Sequence, residues 1–124
     1  MVGPGTYKGT GNVNLAFGGK SLLLVARDGP AATILDGEDI ASTKGFIMDQ
    51  ESDGHHHGQR VVGFRLIGFK AEAIYYGSAE RCEIVGSFKN GFKTFFRSCL
   101  FKDMSYGGIQ NKYFNCTFHN AGYY

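Results

Sequence analysis

The most chemically capable run in the chain is Asp49-Gln50-Glu51-Ser52-Asp53-Gly54-His55-His56-His57-Gly58-Gln59-Arg60. In an extended backbone, residues two apart share a face. His55 and His57 would then point together, and Asp53 or Glu51 would complete a site for zinc, copper or nickel. The candidate ligand or metal loop is therefore Asp53, His55, His56 and His57, with His55 and His57 as the ligating pair. The competing reading is a solvated polar loop, because adjacent histidines without a distant partner are a weak metal pattern. Beyond that divalent ion the sequence implies no cofactor.

Catalytic carboxylates are harder to assemble. Inverting glycoside hydrolysis needs two carboxyls about 6.5–9.5 Å apart. Asp36, Asp39, Asp49, Asp53 and Asp103 do not line up in a shared row, so no catalytic pair is assigned. The thiols are the third candidate chemistry. Cys82, Cys99 and Cys116 lie at equal 17-residue intervals, and each has an apolar side chain two positions later. A straight row of sulfurs does not make a tetrahedral zinc site. Neighbouring strands about 4.8 Å apart bring Cα atoms within disulfide range, but in-register neighbours rarely have the torsion that the bond requires. The expected state is three reduced, buried thiols acting as small apolar fillers.

What positions these residues is the repeat itself. A fixed short period marks one unit stacked on itself, and this one is too short for a helix-turn-helix unit of roughly 33 residues or more. It suits one coil of short strands and tight corners. Counting back 18 from Cys82 reaches Phe64, which puts Phe64, Cys82, Cys99 and Cys116 in one inner ladder. Leu66, Ile84, Phe101 and Phe118 form a second. Ile74, Phe92 and Ile109 are expected to align, as are Ser78, Phe96 and Tyr113, by steps of 18 and 17. The fold class is thus all-β: a right-handed single-stranded parallel β-helix of about five to six short turns, in one domain over residues 1–124.

Composition agrees. Glycine is abundant at 19 of 124 residues, with two prolines and no tryptophan, as tight corners between short strands require. No window shows a helical rhythm. The longest apolar run, Ser21-Leu22-Leu23-Leu24-Val25-Ala26, is too short to span a membrane. The first residues lack the basic start and apolar core of a signal peptide, so the chain is expected to be soluble as written or cut from something longer. The net charge of +2 is spread without a basic run, which argues against a nucleic-acid partner. Lys70, Lys89, Lys93, Lys102 and Lys112 would form at most a weak stripe on one side of the coil, and keeping an outer face solvated is their simpler role.

The 49–60 segment admits two registers. Counting back 18 from Phe64 reaches Phe46, which would share its ladder, or Gly45-Phe46 matches the later Gly108-Ile109. The second is preferred. The step from Phe46 to Leu66 is then 20 against 9 from Ile109 to Phe118, which leaves a protruding polar loop of about 11.

Taken in order, several short motifs carry a resemblance. They are Pro4-Gly5-Thr6-Tyr7, Thr33-Ile34-Leu35-Asp36-Gly37, Gly63-Phe64-Arg65-Leu66, Gly107-Gly108-Ile109 and Asn115-Cys116-Thr117-Phe118-His119-Asn120. The chain resembles the pectin-lyase-like right-handed parallel β-helix superfamily, and within it the repeat-type domains of polymorphic outer membrane proteins and other bacterial surface β-helices. The resemblance implies an extracellular or cell-surface setting. It also brings the superfamily's polysaccharide lyases and hydrolases into view, but the glycine-histidine-glycine element of β-helix polygalacturonases comes with clustered aspartates that this chain lacks. A lyase would need an acidic calcium cluster and a base, whereas the outward row between the inner ladders reads Arg65, Glu83, Leu100 and Thr117. Arg65 and Glu83 are expected to pair there, a contact worth at most about 1 kcal/mol.

Two function classes follow. The first is a non-catalytic β-helix module that binds polysaccharide or a protein surface, with Tyr75, Tyr76, Tyr106, Tyr123 and Tyr124 as candidate stacking faces for sugars. The alternative is a degenerate or metal-assisted carbohydrate-active enzyme working through the 49–60 loop. Since the sequence stops at Gly122-Tyr123-Tyr124 directly after a strand, end-to-end self-association or continuation in a longer solenoid is expected to cover the open edge.

Overall fold

A computed structural model describes residues 1–18, 20–48, 59–86, 89–104 and 106–120. Its first eight strands are β1 (Gly5–Tyr7), β2 (Leu15–Ala16), β3 (Leu22–Val25), β4 (Thr33–Asp36), β5 (Phe46–Ile47), β6 (Gln59–Val62), β7 (Arg65–Ile67) and β8 (Glu72–Tyr75). Eight more follow: β9 (Ser78–Glu80), β10 (Glu83–Val85), β11 (Lys89–Phe92), β12 (Phe95–Arg97), β13 (Leu100–Lys102), β14 (Tyr106–Ile109), β15 (Lys112–Phe114) and β16 (Thr117–His119). They form three sheets in the orders β1-β4-β7-β10-β13-β16, β14-β11-β8-β5-β2 and β15-β12-β9-β6-β3. Pairing is parallel throughout these sheets. Each coil gives one strand to each sheet in turn, which is a parallel β-helix.

Strands this short can close a coil so quickly because the corners are tight and turn on left-handed residues. Tyr76, Lys93 and Gln110 take φ of 61°, 49° and 54° at one corner, and Arg81, Ser98 and Asn115 take 50°, 53° and 54° at the next. Gly86, Asp103 and Asn120 complete the third corner at 67°, 54° and 51°. A left-handed residue at each corner interrupts the extended run and swings the chain into the next sheet. It costs about 1–2 kcal/mol for an ordinary side chain and less for Gly, Asn or Asp. The Asn120 side-chain amide also donates to Asp103 Oδ1 at 2.7 Å, tying successive coils together at this corner.

The second inner ladder is as expected. Leu66 pairs with Ile84, Ile84 with Phe101 and Phe101 with Phe118, and Leu35 and Tyr7 extend the row upward. The cysteine ladder also holds: Glu83 N donates to Phe64 O, Leu100 N to Cys82 O and Thr117 N to Cys99 O. The other two alignments are corrected by one residue. Ile74 pairs with Gly91, and Phe92 with Tyr75 and Ile109. Phe96 pairs with Ala79 and Tyr113, while Ser78 pairs with Phe95. The reason is where the one extra residue of the longer coil sits. The path from Leu66 to Ile74 is one residue longer than the equivalent path from Ile84 to Gly91, so the addition falls in the β7–β8 corner, beside the fully buried Phe69. Beyond β8 every coil has the length set by the cysteines.

Phe46 pairs with Leu15 and Ile74, so it belongs to the second sheet and not to the Phe64 ladder. The preferred register therefore has the right sheet, with a one-residue offset. The step from Phe46 to Val61 is 15 and the equivalent step from Ile74 to Ala79 is 5, so the insertion is ten and not eleven.

The interior is filled by aromatic rings in contact across coils. Phe96 stacks on Tyr113 at 5.5 Å and meets Phe101 edge-on at 5.0 Å, and Phe101 stacks on Phe118 at 4.9 Å. Such pairs add about 0.5–1.5 kcal/mol beyond area burial. Gly91 faces inward where its partner Ile74 has a side chain, because the Phe96 ring takes that space: a Cβ on Gly91 would lie 2.7 Å from Phe96 Cζ. Nothing lies within 4 Å of a Cβ on Gly86, which is constrained only by its φ of 67°. Gly91→Ala is expected to destabilise by about 1–3 kcal/mol, as overpacking does. Gly86→Asn should stay within about 0.5 kcal/mol, since Asp103 and Asn120 occupy the same corner. Denaturant unfolding of both variants checks this, and the reverse order would contradict it.

Candidate functional site

The segment singled out for metal chemistry, with Asp53, His55, His56 and His57, lies outside the described residues. Its downstream flank is placed. Gln59 is buried and donates through Nε2 to Lys20 O at 3.0 Å, and Arg60 faces solvent and pairs with Glu80 at 3.4 Å. Among the described residues no group of three or more His, Cys, Asp or Glu side chains is arranged to hold a metal ion.

The row Arg65, Glu83, Leu100 and Thr117 forms on the outer face of the first sheet, as the sequence implies. Arg65 and Lys102 both reach Glu83, at 3.3 and 3.6 Å. Leu100 follows directly, so the carboxylate is neutralised and no second acid stands beside it in the row. The lysine stripe does not form. Lys70 pairs with Asp39 at 3.5 Å, Lys102 belongs to the first sheet, Lys89 to the second and Lys112 to the third, and Lys93 stands over the Phe92 ring.

On the second sheet the outward row is Ala16, Ile47, Tyr75 and Phe92. Tyr75 and Phe92 stack face to face at 5.0 Å with 11° between planes, and Tyr76 meets both edge-on. Lys44 Nζ stands 5.2 Å from the Tyr75 centroid and Lys93 Nζ 5.6 Å from that of Phe92. The rings thus use faces on each other and on ammonium groups, which leaves a half-exposed aromatic ridge flanked by cations.

The third sheet carries the arrangement that sequence reasoning missed. Its outer face has two in-register rows, Leu23, Arg60, Ser78, Phe95, Lys112 and Val25, Val62, Glu80, Arg97, Phe114. The Arg97 guanidinium stands 5.6 Å from the Phe95 ring centre and 5.5 Å from that of Phe114. Arg60, Ser78, Ala79, Glu80, Phe95 and Arg97 line an open pocket of about 130 Å³. The even step from Glu80 to Arg97 to Phe114 is readable in the sequence, but aligning Ser78 with Phe96 turns this face by one residue. No family model, curated protein or solved structure matches the chain.

The first inner ladder carries the three thiols. Cys82 Sγ donates to Glu80 O at 3.5 Å, Cys99 Sγ to Arg97 O at 3.4 Å and Cys116 Sγ to Phe114 O at 3.4 Å, and all three are free thiols. The Cys82 thiol beside it and burial push Cys99 far above the ordinary thiol value, and burial pushes Cys116 up. A raised folded-state value means the folded chain holds these protons more tightly. The resulting stability is fully present below the ordinary thiol pKa of about 8.5 and is lost as pH rises from there through the folded-state value. With a thiol-disulfide reagent at pH 8, the half-buried Cys116 should react slowly and first, and buried Cys82 and Cys99 only on denaturation. Rapid labelling of all three in the folded protein would contradict this.

Proposed function

We propose that the chain is a non-catalytic β-helix module of the pectin-lyase-like kind, which binds a polysaccharide or a protein partner along its outer faces. The observation that carries this reading is the aromatic ridge of Tyr75, Tyr76 and Phe92 with Lys44 and Lys93 at its edges. A parallel β-helix repeats each outward position about every 4.8 Å along its axis, which suits a partner that is itself extended. Aromatic side chains supply large contact area at low entropic cost. The first-sheet row, by contrast, has its one carboxylate held by Arg65 and Lys102 and followed by Leu100, which offers no acid–base pair for glycosidic chemistry. From the sequence motifs that resemble that superfamily we infer a setting at a cell surface or outside the cell.

Electrophoresis through gels containing polygalacturonate, alginate or a glucan, with and without calcium, tests the reading beside an ultraviolet assay for unsaturated uronate product. The expected outcome is retardation without turnover, weakened about tenfold by Tyr75→Ala with Phe92→Ala, as loss of a central aromatic contact does. Turnover of any panel member, or retardation unchanged in the double variant, contradicts it. No retardation in any gel removes polysaccharide and leaves the protein partner.

A further inference from the structure

We propose that the outer face of the third sheet is a separate docking site for an extended acidic and apolar segment of a partner protein, with Arg60 and Arg97 receiving its carboxylates. This does not depend on the ridge of the second sheet. Among the described residues no carboxylate pairs with Arg97, although its guanidinium is held against both Phe95 and Phe114. A planar guanidinium already oriented by rings loses little freedom on binding, and its fork matches a carboxylate in two parallel hydrogen bonds. Arg60 lines the same pocket. Glu80 holds Arg60 at 3.4 Å and Arg81 at 3.5 Å, so the one acid on this face among the described residues orients an arginine and leaves other guanidinium donors free for a ligand.

Charge complementarity selects the partner. Among the described residues Arg60, Arg81, Arg97 and Lys112 stand against Glu80 alone, which makes the face cationic. The pocket's roughly 130 Å³ equals about four water volumes and suits the carboxyl end of an Asp or Glu side chain. The apolar positions favour a polypeptide over a sugar polymer. Leu23 is 55% exposed at one end and Phe114 60% exposed at the other, and the aliphatic Leu23 gives no flat platform on which a sugar stacks. Leu23 and Phe114 are four coil steps apart, about 19 Å at 4.8 Å per step. A peptide of roughly six extended residues covers that distance.

The probe is a fluorescein-labelled octapeptide of alternating Glu and Leu, followed by anisotropy at low salt, with the Gln-for-Glu peptide, polygalacturonate and heparin as parallel arms. Arg97→Gln and Arg60→Gln are exposed substitutions, and an unchanged thermal midpoint shows that they leave the fold intact. The Glu peptide should bind the native chain, and each variant should bind it about tenfold more weakly, as should the native chain the Gln peptide. Lys70→Gln, at a different corner, should leave binding unchanged. The proposal is overturned if the Glu peptide does not bind, or if Arg97→Gln binds it as the native chain does. It is equally overturned if polygalacturonate or heparin binds more tightly than the peptide with the same dependence on Arg97. Failure here would leave the second-sheet ridge untouched, because Tyr75 and Phe92 are not altered.

Discussion

Parallel pairing between coils ties each residue to one a fixed number of positions later, and every other feature of the chain follows from that tie. Ile84 is hydrogen-bonded in register with Phe101, and Phe101 with Phe118, so a side chain's direction is inherited from its counterpart one coil earlier. Side chains alternate across a strand, and a slip of one residue would therefore exchange the inner and outer sets of a whole coil. Extra residues can be accommodated only where the ladder is interrupted. The addition in the β7–β8 corner and the longer insertion between β5 and β6 both respect that rule.

Because the interior and the outer faces alternate strictly, core and surface are nearly independent. The rings of Phe96, Phe101 and Tyr113 and the thiols of Cys82 and Cys99 fill the coil and face no ligand. The outward rows are free to differ from sheet to sheet: a neutralised ion cluster around Glu83, an aromatic ridge at Tyr75 and Phe92, and a cationic face around Arg97. Substitutions on these faces can therefore change binding with little effect on folding, provided they avoid the corner residues.

The cysteine and Leu66–Phe118 ladders were legible because chemical type and spacing repeat together there. The second and third sheets were less so, for a local physical reason. Ile74 points inward and Phe92 outward, yet both are apolar, and the true partner of Ile74 is Gly91, whose missing side chain is replaced by the Phe96 ring. Pattern alone therefore favours the wrong neighbour by one residue. The same slip hides the Arg97 face, since it puts Phe96 level with Ser78 where Phe95 belongs. The early coils defeat counting altogether: the step from Tyr7 to Leu35 is 28 and that from Leu35 to Leu66 is 31. The histidine segment was visible as composition, but neighbouring residues of like type do not by themselves define a geometry.

The coil repeat can be tested by removing one. Deleting residues 83–99 takes out one whole coil and joins Cys82 to Leu100, which occupies the place of Glu83 in the next coil. Deleting residues 83–98 instead takes out one residue fewer and turns every following side chain to the opposite face. Circular dichroism with thermal melting should show a cooperative β-structured protein for the whole-coil deletion and an unfolded or aggregated chain for the shorter one. Equal behaviour of the two, or a better-folded shorter deletion, would contradict a β-helix built on the coil length that the cysteines mark.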